Sequence, residues 1–165
     1  MEALNLGDCA GLQQLPDSVG SLPSLTALYI NGCAVLQQLP DGIGSLCRLA
    51  KLGASGCTAM MQLPDSIGSL TSLTALCISG CDSLQQLPDS VGSLPSLVML
   101  SAGGCTAITQ LPNSIGSLSS LTALSVNGCT SLQQLPGSIG SLSRLTSAVS
   151  CVPGYGSARV HLLAA

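Results

Sequence analysis

The 24-residue block LTALCISGCDSLQQLPDSVGSLPS, Leu73 to Ser96, recurs with little change along almost the whole chain, and a fixed period of that length decides the class of fold. Six copies start at Met1, Leu25, Leu49, Leu73, Leu97 and Leu121, with Gly-Cys (Asp-Cys in the first) and Leu-Pro in constant register. Burying the aliphatic side chains of one copy falls short of the entropy lost in ordering its 24 residues. The copies must therefore stack, each completing its neighbour's core, in a quasi-one-dimensional array. The spacing predicts an array over residues 1–144 and, over 145–165, a degenerate seventh copy with an irregular tail.

Numbered from its first leucine, a copy carries apolar residues at positions 1, 4, 6, 12, 15, 19 and 22; in the second these are Leu25, Leu28, Ile30, Leu36, Leu39, Ile43 and Leu46. The spacing of two between Leu28 and Ile30 is the strand period, so these point inward while Ala27, Tyr29 and Asn31 point outward. One short strand per copy follows. Glycine at position 8, with Asp8 the one exception, supplies a sharp turn at positive φ. Proline at position 16 breaks any ladder and favours an extended path. Asp17, Asp41, Asp65, Asp89, Asn113 and Gly137 then stand where a short helical or 3₁₀ turn would take an N-cap. The glycine at position 20, Gly44 for example, is expected to keep that turn short.

Composition narrows the core and the partners. The chain is 46% hydrophobic but contains no Phe or Trp, only Tyr29 and Tyr155, so its core is aliphatic. Charged residues make up 7%, against about a quarter in ordinary domains, and the net charge is −3 with Arg48, Lys51, Arg144 and Arg159 scattered. No basic stripe exists for nucleic acid. The apolar runs are too short to span a bilayer, so no membrane association is expected. No secretory leader pattern is present at the N-terminus, and a reducing, cytoplasmic setting is expected.

The pattern Leu25-x-x-Leu28-x-Ile30-x-x-Cys33-x-x-Leu36-x-x-Leu39-Pro40-x-x-Ile43-x-x-Leu46 resembles the leucine-rich repeat in its cysteine-containing, Leu-Pro form. It is most similar to the arrays of plant-type nucleotide-binding immune receptors and of Ras-group-related intracellular repeat proteins, and it covers Met1 to about Leu145. The resemblance implies a curved α/β solenoid, with parallel strands on the concave face, short helical turns on the convex face and another protein bound by the concave side. Leu-Pro, where extracellular plant receptors carry Ile-Pro, moves the expectation inside the cell. Neither end has a cap: Met1 replaces the first leucine, and the seventh copy departs from the pattern after Leu145, with Ala148, Ser150 and Pro153 at its positions 4, 6 and 9. The tail is expected to be frayed, and the uncapped ends to favour end-to-end self-association.

Residues that resemble chemistry have simpler explanations. Six of the nine cysteines, from Cys9 to Cys129, share position 9, and one thiol per copy is a row of small buried groups hydrogen-bonded to backbone rather than a metal cluster. Cys77 and Cys81 should point to opposite sides of the strand. The four aspartates look like a calcium rail, but capping accounts also for Asn113 and Gly137. The glutamines at position 14 could recognise a ligand or form a ladder of stacked amides. His161 is the only histidine and lies in the tail, so no catalytic triad, and no enzyme, is expected. No cofactor or metal site is expected either.

What remains is the concave face. Strand alternation exposes Asn5, Tyr29, Asn31, Lys51, Ser55, Cys77, Ser79, Met99, Ser101, Ser125 and Asn127, with small residues between them. Of these, Tyr29 is the type favoured at binding hot spots, with Lys51 and Met99 as lesser anchors. The sequence thus predicts a module binding another protein through this face, as the recognition part of an intracellular signalling or defence receptor. The alternative is a structural spacer or receptor fragment with no activity of its own.

Overall fold

In the computed structural model, which describes residues 2–150, seven strands form one parallel sheet in chain order: β1 (Glu2–Asn5), β2 (Leu25–Tyr29), β3 (Lys51–Gly53), β4 (Ala75–Cys77), β5 (Met99–Ser101), β6 (Ala123–Val126) and β7 (Ser147–Ser150). Each strand is in register with residues 24 further on, as in Leu28↔Leu52↔Leu76↔Leu100↔Leu124. Six 3₁₀ turns run opposite, η1 (Asp17–Ser21), η2 (Asp41–Ser45), η3 (Asp65–Ser69), η4 (Asp89–Ser93), η5 (Asn113–Ser117) and η6 (Gly137–Ser141). The sheet is open, and the whole is a curved solenoid.

Between the strand row and the turn row lies one continuous aliphatic core. All seven apolar positions of the second copy are buried, as are those of the third, fourth and fifth. Substitutions keep the burial: Ala54 and Ala102 at position 6 and Met60 at position 12 are each fully enclosed. The first copy has no neighbour before it within the described residues, and there Leu4, Leu6 and Leu12 are only half-buried. Stacking, more than residue type, supplies the burial.

The turn after each strand is as expected. Gly32, Gly56, Gly80, Gly104 and Gly128 have φ between 70° and 75°, and Asp8 adopts φ 57°. Each position-16 proline is extended, Pro40 with φ −72° and ψ 154°, and its carbonyl accepts the first 3₁₀ bond, Ile43 N to Pro40 O at 3.1 Å.

Two expectations about the turn row need correction. The N-cap residue is the proline, with no side-chain cap bond, so the aspartates sit at the first turn position and do not cap. A proline directly before them already holds the extended cap geometry. Asp17 instead accepts from the Gly42 N–H of the next copy at 3.2 Å. The position-20 glycines answer to packing rather than to turn length. A Cβ on Gly20, Gly44, Gly68, Gly92 or Gly116 would lie 2.1–2.6 Å from the position-18 carbonyl of the following copy. Only glycine lets adjacent turns approach so closely.

The seventh copy, off-pattern after Leu145, still supplies a strand. β7 pairs with β6 from Ala123↔Ser147 to Val126↔Ser150, and the Thr146 and Ser147 N–H groups both donate to Thr122 O at 3.0 Å. Ladder bonds are backbone bonds, so they outlast the loss of the leucine pattern. The tail predicted to be frayed lies at 151–165, outside the described residues.

Candidate functional site

The strand face is built from three rows of outward side chains. Along position 3 the register runs Ala27↔Lys51↔Ala75↔Met99↔Ala123. Lys51 and Met99, both exposed, therefore stand proud between alanines, about 10 Å apart at two strand spacings. Along position 5 run Asn5, Tyr29, Gly53, Cys77, Ser101 and Ser125. Tyr29 is half-buried because its ring lies over Gly53: a Cβ there would come within 3.0 Å of Tyr29 Cδ1. Gly53 thus shapes the seat of the one aromatic ring on this face among the described residues.

Several polar groups of the face are already used. Asn31 Oδ1 accepts from Ser55 N at 2.9 Å, and Asn5 Oδ1 accepts from Gly7 N at 2.9 Å. The hydroxyls of Ser79 and Ser101 share a hydrogen bond at 2.8 Å, and Ser125 Oγ donates to Asn127 Oδ1. These bonds leave the Asn31 and Asn5 NH₂ groups as the parts a partner can meet. Of the predicted residues, Tyr29, Asn31, Lys51 and Ser55 fall on β2 and β3 and the loops after them, next to one another, while Met99 stands two strands away. Val98, 40% exposed like Met99 beside it, was missed. Its signal was available, since it breaks a position-2 series in which Thr26, Thr74, Thr122 and Thr146 each donate to the previous copy's backbone.

The cysteine row is scaffold. The thiols of Cys33, Cys57, Cys81, Cys105 and Cys129 each donate to a carbonyl 27 residues earlier, Cys57 to Ile30 O at 3.1 Å for instance. That carbonyl closes the previous copy's strand, so the thiols tie copy to copy. Burial pushes Cys57 and Cys129 up to about 11, and its Cys105 neighbour together with burial holds Cys81 higher still. Cys77 is half-buried on the strand face, apart from the buried Cys81, and burial raises its pKa too, which makes it a poor nucleophile. Among the described residues no three His, Cys, Asp or Glu side chains are grouped to hold a metal ion, and no helix is long and apolar enough to cross a membrane.

These thiols set two measurable outcomes. In native protein at pH 8, exposed Cys9 and Cys47 should alkylate quickly, Cys77 slowly, and the five laddered thiols only after unfolding; peptide mass spectrometry showing Cys57 modified as fast as Cys47 would contradict the ladder. The raised pKa values of Cys57 and Cys129 also mean that their protonated forms are favoured by folding, whereas the hydrogen bond from Cys81 lowers that of Cys105. That contribution is complete below the ordinary value of 9.0 and is lost as pH rises towards about 11, so urea midpoints should fall across that window.

A second concavity lies between the loop that follows each cysteine and the 3₁₀ row. It is a groove of about 1010 Å³, lined by the position-14 glutamines of the first five copies, the position-17 aspartates of the first four, and leucines and prolines between them. The glutamine side chains make no hydrogen bond within the described residues, so no amide ladder forms; only the backbones of Gln38 and Gln62 meet, in a parallel bridge.

Comparison with known proteins agrees with this geometry. A family model described as a leucine-rich repeat region matches residues 3–101. Among curated proteins none matches the sequence significantly. Among solved structures, the chain is similar to a leucine-rich-repeat protein of Leptospira interrogans at 26% identity, with a TM-score of 0.59 over 84% of this chain and 40% of that one. It also resembles in fold the leucine-rich repeat domain of the type III effector XopL, at 23% identity and a TM-score of 0.50 over 94% of this chain and 70% of that one. The functional domain of InlJ from Listeria monocytogenes, described as including a cysteine ladder, is similar at 21% identity and a TM-score of 0.61 over 88% of this chain and 29% of that one. The chain thus spans well under half the length of the Leptospira protein. With a family model matched over more than half its length and one strand, one thiol and one 3₁₀ turn repeated every 24 residues, the chain belongs to the leucine-rich repeat family.

Proposed function

We propose that this chain is a protein-interaction module that binds its partner through the concave strand face, centred on Tyr29, Asn31, Lys51 and Ser55 with Met99 as an outlying anchor. The observation that carries the reading is the seat of Tyr29 over Gly53: an aromatic ring of the type that dominates binding energy stands, with the Lys51 cation beside it as a lesser anchor, on a sheet of mostly small residues. The family and the open face support the same reading. Its setting would be the cytoplasm, as the recognition part of a signalling or defence receptor; the Leu-Pro form of the repeat, and eight cysteines that are all free among the described residues, favour a reducing compartment.

The test is a pull-down from the native source with wild-type protein and with the Tyr29→Ala/Lys51→Glu double variant. Partners held by wild type should be lost or weakened by about tenfold or more, the cost of a truncated hot spot. Capture unchanged by the double variant would sink the assignment. Specific capture of nothing by the wild-type chain would favour the second reading, a spacer without its own partner site, which the preponderance of Ala, Gly and Ser on the face supports.

A further inference from the structure

The groove beside the turn row is a second interaction surface, and the geometry points to an extended, lysine- or arginine-rich polypeptide segment as its occupant. The groove is linear, crossing five copies at about 4.8 Å per copy, and so suits a chain laid along the array rather than a compact ligand. Its amides are uncommitted. Gln38, Gln62 and Gln86 are exposed with no side-chain bond among the described residues, and each amide can both donate to and accept from a peptide backbone. Its charge has one sign, with Asp41, Asp65 and Asp89 exposed along the lining and no Lys or Arg in it.

The half-buried rings of Pro40, Pro64 and Pro88 complete the lining above leucines that belong to the core, and they suit the aliphatic stems of long basic side chains. The aspartates are not grouped as metal ligands, and a capping role for them is absent. A single row of carboxylates beside a row of free amides complements a cationic strand: backbone to the amides, ammonium or guanidinium groups to the carboxylates. The charge stops at the fifth copy, where Asn113 and then Gly137 replace aspartate, so the occupant's basic residues should lie over the first four copies.

The probe is fluorescein-labelled decalysine, titrated with the whole chain at low salt and read by fluorescence anisotropy. Binding should weaken about tenfold in Asp41→Asn/Asp65→Asn, the loss of two exposed ion pairs. It should also weaken in the charge-neutral change Gln38→Ala/Gln62→Ala. The off-groove double Glu2→Gln/Asp82→Asn, which removes the same charge elsewhere, and Tyr29→Ala on the strand face should both leave it unchanged. Circular dichroism melts of each variant matching wild type establish that folding is intact; for any that melts early, the single changes Asp65→Asn and Gln62→Ala take its place. No binding would overturn the proposal, as would equal weakening by the on- and off-groove charge variants. Complete displacement by spermine at matched charge would overturn it in favour of a small polycation.

Discussion

Alanine at Gly92 will cost the array about 1–3 kcal/mol, the usual penalty of overpacking, while alanine at Gly140 will cost nothing. The two glycines occupy the same position of the repeat, in the same kind of 3₁₀ turn. They differ in what stands beside them. A Cβ on Gly92 would fall 2.3 Å from Ser114 O and 2.6 Å from Ser114 Cβ, and the nearest obstacle is backbone, which can yield only if two copies separate. A Cβ on Gly140 meets nothing within 4 Å among the described residues. Its φ is not positive, so alanine there restricts the unfolded chain at no native cost and should stabilise by up to about 1 kcal/mol. Urea midpoints of the two variants should therefore move in opposite directions; equal midpoints would show that the turn row is slack.

Leu76→Ala should be costlier still, at about 2–5 kcal/mol. Leu76 is fully buried in β4, between Leu52 and Leu100 in register, so truncation opens a cavity walled by both neighbouring copies. Because each copy contacts only its neighbours, the damage should be local before it is global. Amide exchange should rise first in β3, β4 and β5 and least in β1. Leu4→Ala, at a half-buried position of the first copy, should cost well under half as much. Uniform loss of protection along the sheet would argue that the array unfolds as one block.

How much could be read in advance depended on whether a residue's reason lay within its own copy. Leu28 and Ile30 alternate along one strand, and Gly32 turns at the end of it; both are local facts, and both were legible. The thiol of Cys57 was readable as buried because the whole row is constant, though its acceptor, Ile30 O of the copy before, is a feature of stacking. Gly44 was misread for that reason. Within its copy it looks like a turn residue, and only the arrival of Ser66 from the next copy shows what excludes a side chain. Asp41 was misread as a cap because cap statistics ignore the preceding proline, which already holds the extended geometry. Of the candidate sites, the strand face followed from alternation. The groove did not, since the glutamine and aspartate rows were weighed singly and only stacking joins them along one channel.

The thiol ladder has a consequence for the history of such a chain. Every Cys-to-carbonyl link spans the same 27 residues, from one copy to the one before it, and no link refers to a copy's number in the array. Excising 24 residues between any two equivalent points would bring a thiol of the same kind to a carbonyl of the same kind, and duplicating 24 would do likewise. Length is therefore the property that unequal exchange between near-identical gene segments can change at little cost in folding. The surface motifs, Tyr29 over Gly53 above all, are what each such event would shift, erase or copy.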